Sequence, residues 1–310
     1  MKLKGVILAA GKGSRLYPVT NYIPKPLLPI ANKITLTYAF EQLKKIGVIE
    51  ICLVVGETEA QMKESLGNGS KYGVRLTYVR QTNPHGLAHA VGFAKDFVGK
   101  DDFVLYLGDA IYGGDFTAYR QQFEDSICAN LNLVKPVPDP TRFGVANVEG
   151  ERIIRLVEKP NNPESNLAMA GLYFFRSEIW EVLPDLEPSV RGEYEITDAI
   201  QILIDRGHTV LAGIYKGIWF DTGTLSSFLE TSRYFVQEGY LAGENVVLEG
   251  KIGTHVVIGE GATVSCEKIE NSVILPGAKV HVEGELCHSI VGGVISSKYN
   301  ITNKILYGTH

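Results

Sequence analysis

Lys4-Gly5-Val6-Ile7-Leu8-Ala9-Ala10-Gly11-Lys12-Gly13-Ser14-Arg15-Leu16-Tyr17-Pro18 is the stretch on which the reading of the fold turns. The apolar run Gly5–Ala9 predicts a short buried strand, and it empties into a glycine-rich loop that carries Arg15. Pro24-Lys25-Pro26 then holds a second cation between two rigid residues. Backbone N–H groups at a strand end, with two cations beside them, suit a polyphosphate. Two better-known glycine motifs are excluded. The dinucleotide fingerprint requires a third glycine where Leu16 stands, and the P-loop requires Ser or Thr after Gly-Lys, where Gly13 stands. A tight strand-to-helix turn would by itself also use glycines. Arg15 and Lys25 tilt the reading toward phosphate.

Outward from this stretch, residues 1 to about 235 alternate between strand and helix patterns. Further β-rich runs lie at Ile51–Val55, Leu76–Val79, Phe103–Leu107 and Leu131–Val134. Leu36, Ala39, Phe40, Leu43 and Ile46 repeat at helical spacing, as do Ile196, Ala199, Ile200, Leu203 and Ile204. The alternation predicts an α/β fold, Rossmann-like, with a mostly parallel sheet covered by helices on both faces. Ligands of such sheets sit at the carboxyl ends of the strands.

Beyond residue 242 the period changes. Val246, Ile252, Ile258 and Val264 recur every six residues, and after a slip near Lys268 so do Ile274, Val280 and Leu286. Aliphatic residues at that period predict a short left-handed parallel β-helix of about three coils, at roughly 18 residues each. The expected division is a domain over 1–240 and the hexapeptide-repeat tail over 241–310. A solenoid this short has exposed ends that a second copy could cover, so a homo-oligomer is expected.

Composition narrows the function classes. The formal net charge is −5, which favours neither nucleic acid nor an anionic membrane as partner. No apolar run approaches the roughly 20 residues that cross a bilayer, and no signal-peptide pattern opens the chain. Cys52, Cys128, Cys266 and Cys287 are scattered and form no metal-ligand spacing. A cytoplasmic location is the expectation.

Several polar residues follow apolar runs. Asp109, after Leu107-Gly108, and Asp221, in Trp219-Phe220-Asp221-Thr222-Gly223, are either metal ligands for a hard cation such as Mg²⁺ or turn and helix-cap residues. Gln81, ahead of Pro84-His85-Gly86, is either a reader of a nucleobase edge, through its paired donor and acceptor, or a polar loop residue. Gly86 would let backbone approach that base. His85 and His89 read as helix-start and surface residues. Glu158-Lys159-Pro160 suits sugar hydroxyls and a phosphate monoester, or is a surface ion pair. Arg191-Gly192-Glu193-Tyr194-Glu195-Ile196-Thr197-Asp198 is a charged helix entry with or without a ligand.

Together and in this order, these pieces resemble the sugar-phosphate nucleotidylyltransferases, in particular their thymidylyl-transferring branch and its long form with a hexapeptide tail. The resemblance runs from residue 3 to about 230. It implies transfer from dTTP, or UTP, to glucose 1-phosphate by direct in-line displacement. It implies that Arg15 and Lys25 are catalytic, gripping the nucleotide phosphates. Leu8, Ala10, Gly11, Gly13, Gln81, Pro84 and Gly86 would receive the nucleotide. Gly144, Glu158, Lys159, Gly171, Tyr173 and Arg191 would receive the sugar phosphate, and Asp109 and Asp221 would hold Mg²⁺. Ala110 and Pro26 depart from the short-form pattern, which carries Asn and Gln there. Two rival readings are a fused hexapeptide acyltransferase, for which the tail is short, and a non-catalytic sensor of sugar nucleotides, which would tend to lose the cations kept here.

Overall fold

The structure is a computed structural model that describes residues 2–309. Packing divides the chain into two units, neither of them a continuous run. One comprises the chain up to Gly11 with Tyr38–Trp219, and the other Lys12–Thr37 with everything from Phe220 onward.

The first unit is built on a nine-stranded sheet. Its strand order is Arg75–Arg80, Glu50–Val55, Leu3–Ala9, Asp102–Leu107, Leu167–Phe175, Asn130–Pro136, Val210–Ile214, Arg152–Glu158 and Gly144–Glu149. All the runs read as strands from the sequence lie within these elements. The first four strands are parallel. Leu167–Phe175 then runs antiparallel to both of its neighbours, and Arg152–Glu158 does the same. The sheet is therefore mixed rather than mostly parallel. Apolar runs look alike in either direction, since direction depends on how the chain returns. Leu3–Ala9, Glu50–Val55 and Asp102–Leu107 are buried at nearly every residue, as strands covered on both faces must be. The helix Ile196–Asp205 packs its apolar stripe on Arg152–Glu158.

In the second unit the tail winds as parallel strands stacked in register. Tyr240 pairs with Val256, Val257 with Val273, Val273 with Ile290 and Ile290 with Ile305. Each turn thus advances the chain by 15 to 17 residues, not 18. The apolar corners explain the difference: Val264 to Ile269, Ile269 to Ile274 and Leu286 to Val291 are five-residue sides among six-residue ones. More rungs therefore fit than the three coils expected. Ile258, Val264, Ile269, Ile274, Val280, Leu286 and Val291 form a buried apolar interior, with Val246 and Ile252 packed at its edge.

Candidate active site

Four parallel strands of the first unit end at one edge, and they bring together residues far apart in sequence. Leu8 pairs with both Val54 and Leu107, and its carbonyl accepts from the Gly108 N–H at 2.9 Å. Val55 pairs with Arg80, and the Gln81 N–H donates to the Val55 carbonyl at 2.9 Å. Ala10, Gly11, Gln81 and Asp109 therefore lie just past the carboxyl ends of neighbouring strands. A Cβ on Gly56 would come within 2.8 Å of the Ala10 carbonyl oxygen, so the backbone here is closely packed. A Cβ on Gly11 would meet nothing within 4 Å. The Leu8 side chain is 8 % exposed and belongs to the core beneath this edge.

Asp109 lies in a turn between Asp102–Leu107 and the short strand Ala110–Tyr112, and no helix starts there. The helix-cap reading of Asp109 is thereby removed. Its charge contributes to holding the buried Tyr106 and Tyr112 hydroxyls protonated, after burial and neighbouring tyrosines. Ala110, the departure noted beside it, is buried.

Gln81 is buried, and its Nε2 lies 3.0 Å from His89 Nδ1. Burial, and then the charge of His85, push the His89 imidazole toward its neutral form, which accepts the amide proton there. One N–H of Gln81 is thus committed, and its carbonyl oxygen and second N–H keep their recognition capacity. His89 was read as a surface residue. It is half-buried instead, with Phe93 and Tyr194 against its ring at 5.1 and 6.2 Å between centroids. Gly86 also has a different reason to be glycine. At φ 112°, a Cβ there would lie 2.5 and 2.6 Å from the backbone oxygen and nitrogen of Tyr194. That backbone is zipped to the same segment, since Ala88 N–H donates to Tyr194 and Tyr194 N–H donates to His85. Pro84 is exposed in the loop just before.

A second group of residues gathers around Glu158. Gly144 pairs with Glu158 across adjacent strands, and Thr197 Oγ1 donates to Glu158 Oε2 at 3.1 Å. A Cβ on Gly144 would lie 2.5 Å from Thr197 Cγ2 and 3.1 Å from Glu158 Oε2. Arg191 reaches Glu158 at 3.4 Å, Glu195 at 3.1 Å and Glu193 at 3.3 Å, and Lys159 Nζ is 3.3 Å from Glu158. Lys159 takes a positive φ of 42° just past its strand. Burial first, and then the Glu158 charge, raise the carboxyl pKa of both Glu195 and Asp198. The helix entry is not capped by the Glu195 side chain, so its polar groups serve this cluster. Tyr173 is 3 % exposed and packs in the core, and Glu158 lies close enough to help raise its pKa beyond the effect of burial. Gly171, at φ 83°, packs against Leu107 where the pairing of Leu167–Phe175 with its neighbour shifts register.

In the second unit, Gly13 starts the turn Ser14–Leu16 in the left-handed conformation, at φ 66°. Its carbonyl accepts from Leu16 N–H and from Thr20 Oγ1, both at 2.9 Å. A Cβ on it would lie 3.0 Å from the Lys25 Cβ. The stem of Lys25 is therefore packed against this turn, and the residue is 9 % exposed. Arg15 and Asp221 flank Gly223: a Cβ there would lie 2.5 Å from Arg15 Nη2 and 2.9 Å from Asp221 Oδ1. Thr224 begins the helix Leu225–Val236 with a reciprocal capping box with Ser227, which fixes the loop that carries Asp221 and Gly223.

The sequence reading missed His89, Thr197, Tyr194 as the clamp on Gly86, and Gly223 as the spacer beside Arg15. Thr197 and Tyr194 stand inside the charged helix entry, but nothing in local spacing names their partners.

Asp109 and Asp221 offer the carboxylate oxygens that a hard cation takes. No cluster of three or more acidic, His or Cys ligands occurs among the described residues. Mg²⁺ is usually held by one or two carboxylates, with substrate phosphates and water completing the shell, so the chemistry of each of these residues fits it.

Comparison with known proteins gives the family. The family model described as nucleotidyl transferase matches residues 4–238. The chain is 39% identical to a glucose-1-phosphate thymidylyltransferase of Streptomyces antibioticus, over 94% of this chain and 81% of that one. It is 36% identical to the low-salt glycan biosynthesis nucleotidyltransferase Agl11 of Haloferax volcanii, over 94% and 92%. Among solved structures, a UDP-glucose pyrophosphorylase complexed with UDP-glucose superposes with a TM-score of 0.68 at 27% identity, covering 76% of this chain and 98% of that one.

Proposed function

This chain belongs to the nucleotidyl transferase family, and from that premise we propose that it transfers a nucleotidyl group from dTTP, or from UTP, to glucose 1-phosphate. The products are dTDP-glucose or UDP-glucose and pyrophosphate. The observation that carries this reading is the shared edge of four parallel strands. It gathers an open glycine, Gly11, a carboxylate, Asp109, and an amide oriented by His89, Gln81.

A phosphate oxygen of the sugar phosphate attacks the α-phosphorus, and the bond to the departing pyrophosphate breaks. No covalent enzyme intermediate is required, so the work of the protein is positioning and charge neutralisation. Arg15 grips the nucleotide phosphates and the developing pyrophosphate, and Lys25 supports the α-phosphate. Gln81 reads the imide edge of the base, with the Gly86 segment beside it, and Gly11 leaves room for the nucleoside. Glu158, steadied by Thr197 and Arg191, accepts from sugar hydroxyls, and Lys159 meets the sugar phosphate. Asp109 and Asp221 would hold Mg²⁺, which when bound supplies charge neutralisation at the phosphates.

The residues 1–240 serve as the transferase domain, a division supported by the extent of the family match. The tail over 241–310 is read as a left-handed β-helix, which the stacked parallel rungs support. Exposed Leu241, Val247 and Tyr299 on it favour a homo-oligomer.

The experiment is pyrophosphate release by purified protein with Mg²⁺, glucose 1-phosphate and each nucleoside triphosphate in turn. The methyl group that separates thymine from uracil is worth about 1–3 kcal/mol in an apolar pocket. We therefore expect dTTP to be preferred, UTP to be used more slowly, and purine nucleotides to be poor. A best rate with ATP or GTP would overturn the base assignment, and binding without turnover would point to the sensing reading.

A further inference from the structure

The loop that carries Arg15 and Lys25 belongs, by packing, with the C-terminal tail and not with the strand it springs from. Three contacts explain this. Tyr22 stacks on Tyr307, with ring centroids 4.3 Å apart and planes 12° from parallel. Asn32 Nδ2 donates to the Ile258 carbonyl at 2.9 Å. The helix Leu225–Val236 touches both Pro29–Ile30 and the rung Val256–Ile258. Tyr307 stands on the last rung, Ile305–Gly308, which also touches the turn Val19–Asn21.

The slot that holds Tyr307 is built by the solenoid. Tyr307 pairs with Gly292 on the rung below, and a Cβ on Gly292 would lie 2.7 Å from the Tyr307 ring. Glycine there lets the ring lie down flat, with its face presented to Tyr22. From Tyr22 the path to the cations is short. Thr20 hydrogen-bonds the Gly13 carbonyl, Gly13 sits against the Lys25 stem, and the next turn carries Arg15.

We propose that Tyr307 is a positioning residue for the nucleotide-phosphate loop, so that the tail sets the placement of Arg15 and Lys25 through the Tyr22–Tyr307 stack. The inference rests on the nucleotidyl-transfer reading for the role of that loop and goes beyond it in giving the tail a part in substrate binding. Tyr307 touches neither substrate. Its effect falls on the nucleotide side, because the path from Tyr22 ends at Lys25 and Arg15.

The test uses the full-length protein with three variants: Tyr307→Ala, Tyr307→Phe and Gly292→Ala. Nucleotide KM, sugar-phosphate KM and kcat are measured, together with calorimetric binding of dTTP alone and mass by light scattering. Loss of a stacked aromatic pair should weaken dTTP binding about three- to tenfold. Tyr307→Ala is expected to raise nucleotide KM by that factor with sugar-phosphate KM and mass unchanged. Phe keeps the ring and should restore the unmutated values. Gly292→Ala, which tilts the ring without removing it, should fall between. An Ala variant that binds dTTP as the unmutated protein does overturns the proposal, and so does a Phe variant as weak as Ala. Equal rises in both KM values with a lowered Tm would assign Tyr307 to folding and overturn it as well. If the unmutated protein binds dTTP but transfers it to no sugar phosphate, the functional reading fails, while the calorimetry still decides on Tyr307.

Discussion

Gly223→Ala separates the placement of Arg15 from the stability of the fold. Gly223 is not among the positive-φ glycines, so alanine can take its backbone conformation without strain. The added methyl would lie 2.5 Å from Arg15 Nη2, 3.0 Å from Arg15 Cζ and 2.9 Å from Asp221 Oδ1. Carbon makes ordinary contacts near 3.5–4 Å, so the guanidinium must retreat by about 1 Å. Arg15 is exposed and its side chain flexible, so the retreat costs the fold little. Loss of a glycine can even stabilise by about 0.4–1 kcal/mol through the unfolded chain. A misplacement of about 1 Å in a group that must meet the transition state can lower the rate about 100-fold. We therefore expect Tm to hold or rise slightly while kcat/KM for pyrophosphate release falls about 100-fold. Combined with Arg15→Ala, the second change should add little, because both remove one interaction. A Gly223→Ala enzyme within threefold of the unmutated rate would refute the reasoning, since Arg15 would then do its work from somewhere other than the place beside Gly223. Additive losses in the double variant would refute it too.

Four further outcomes are expected. Gly11→Ala has open space on the side its methyl would occupy, so Tm should not move while nucleotide KM rises by about tenfold; an unchanged KM would mean that the nucleoside does not pass over Gly11. Gly86→Ala meets the Tyr194 backbone at a left-handed φ and should cost at least about 1–3 kcal/mol in urea unfolding, an estimate that an unchanged midpoint would contradict. Asp198→Asn should raise Tm at neutral pH. Burial and Glu158 raise the folded-state pKa of Asp198, so stability is fully present below the unfolded value and is lost as pH rises through the folded one; the advantage of Asn must therefore vanish on acidification below the ordinary carboxylate range, and a gain that persists there counts against this cause. Asp109→Asn should cut turnover by orders of magnitude at saturating Mg²⁺ with the fold retained, and near-normal pyrophosphate release would remove Asp109 from the metal assignment.

How much of this was legible beforehand depends on the range over which each feature is determined. The strand before Gly11, the helices from Leu36 and from Ile196, and the apolar corners of the tail all follow from periodicity within a few residues, which chain geometry alone imposes. The excluded glycine motifs and the nucleotidyl-transfer resemblance rest on residues close in sequence as well. Strand direction did not follow, because an apolar run pairs equally well either way until the rest of the chain chooses a neighbour. Nor did the turn length of the tail, where five-residue sides among six-residue ones blur a six-residue count.

The partners of the chemical groups needed the tertiary structure. Gly86 is glycine because of Tyr194, more than a hundred positions later, and Glu158 is held by Thr197 and Arg191 from another element. His89 turns from a surface residue into the partner of Gln81 only when the strand ending at Arg80 and the helix Leu87–Gly92 are packed together. The loop of Arg15 and Lys25 rests on the last rung of the tail, nearly three hundred residues away along the chain. The sequence by itself determined five strands of the sheet, the helices from Leu36 and from Ile196, the repeating tail and the kind of side chains offered to a phosphate. Tertiary structure alone decided which of those side chains are held, and by what, because contacts across a core are selected by shape and unpaired polarity and leave no period in the sequence.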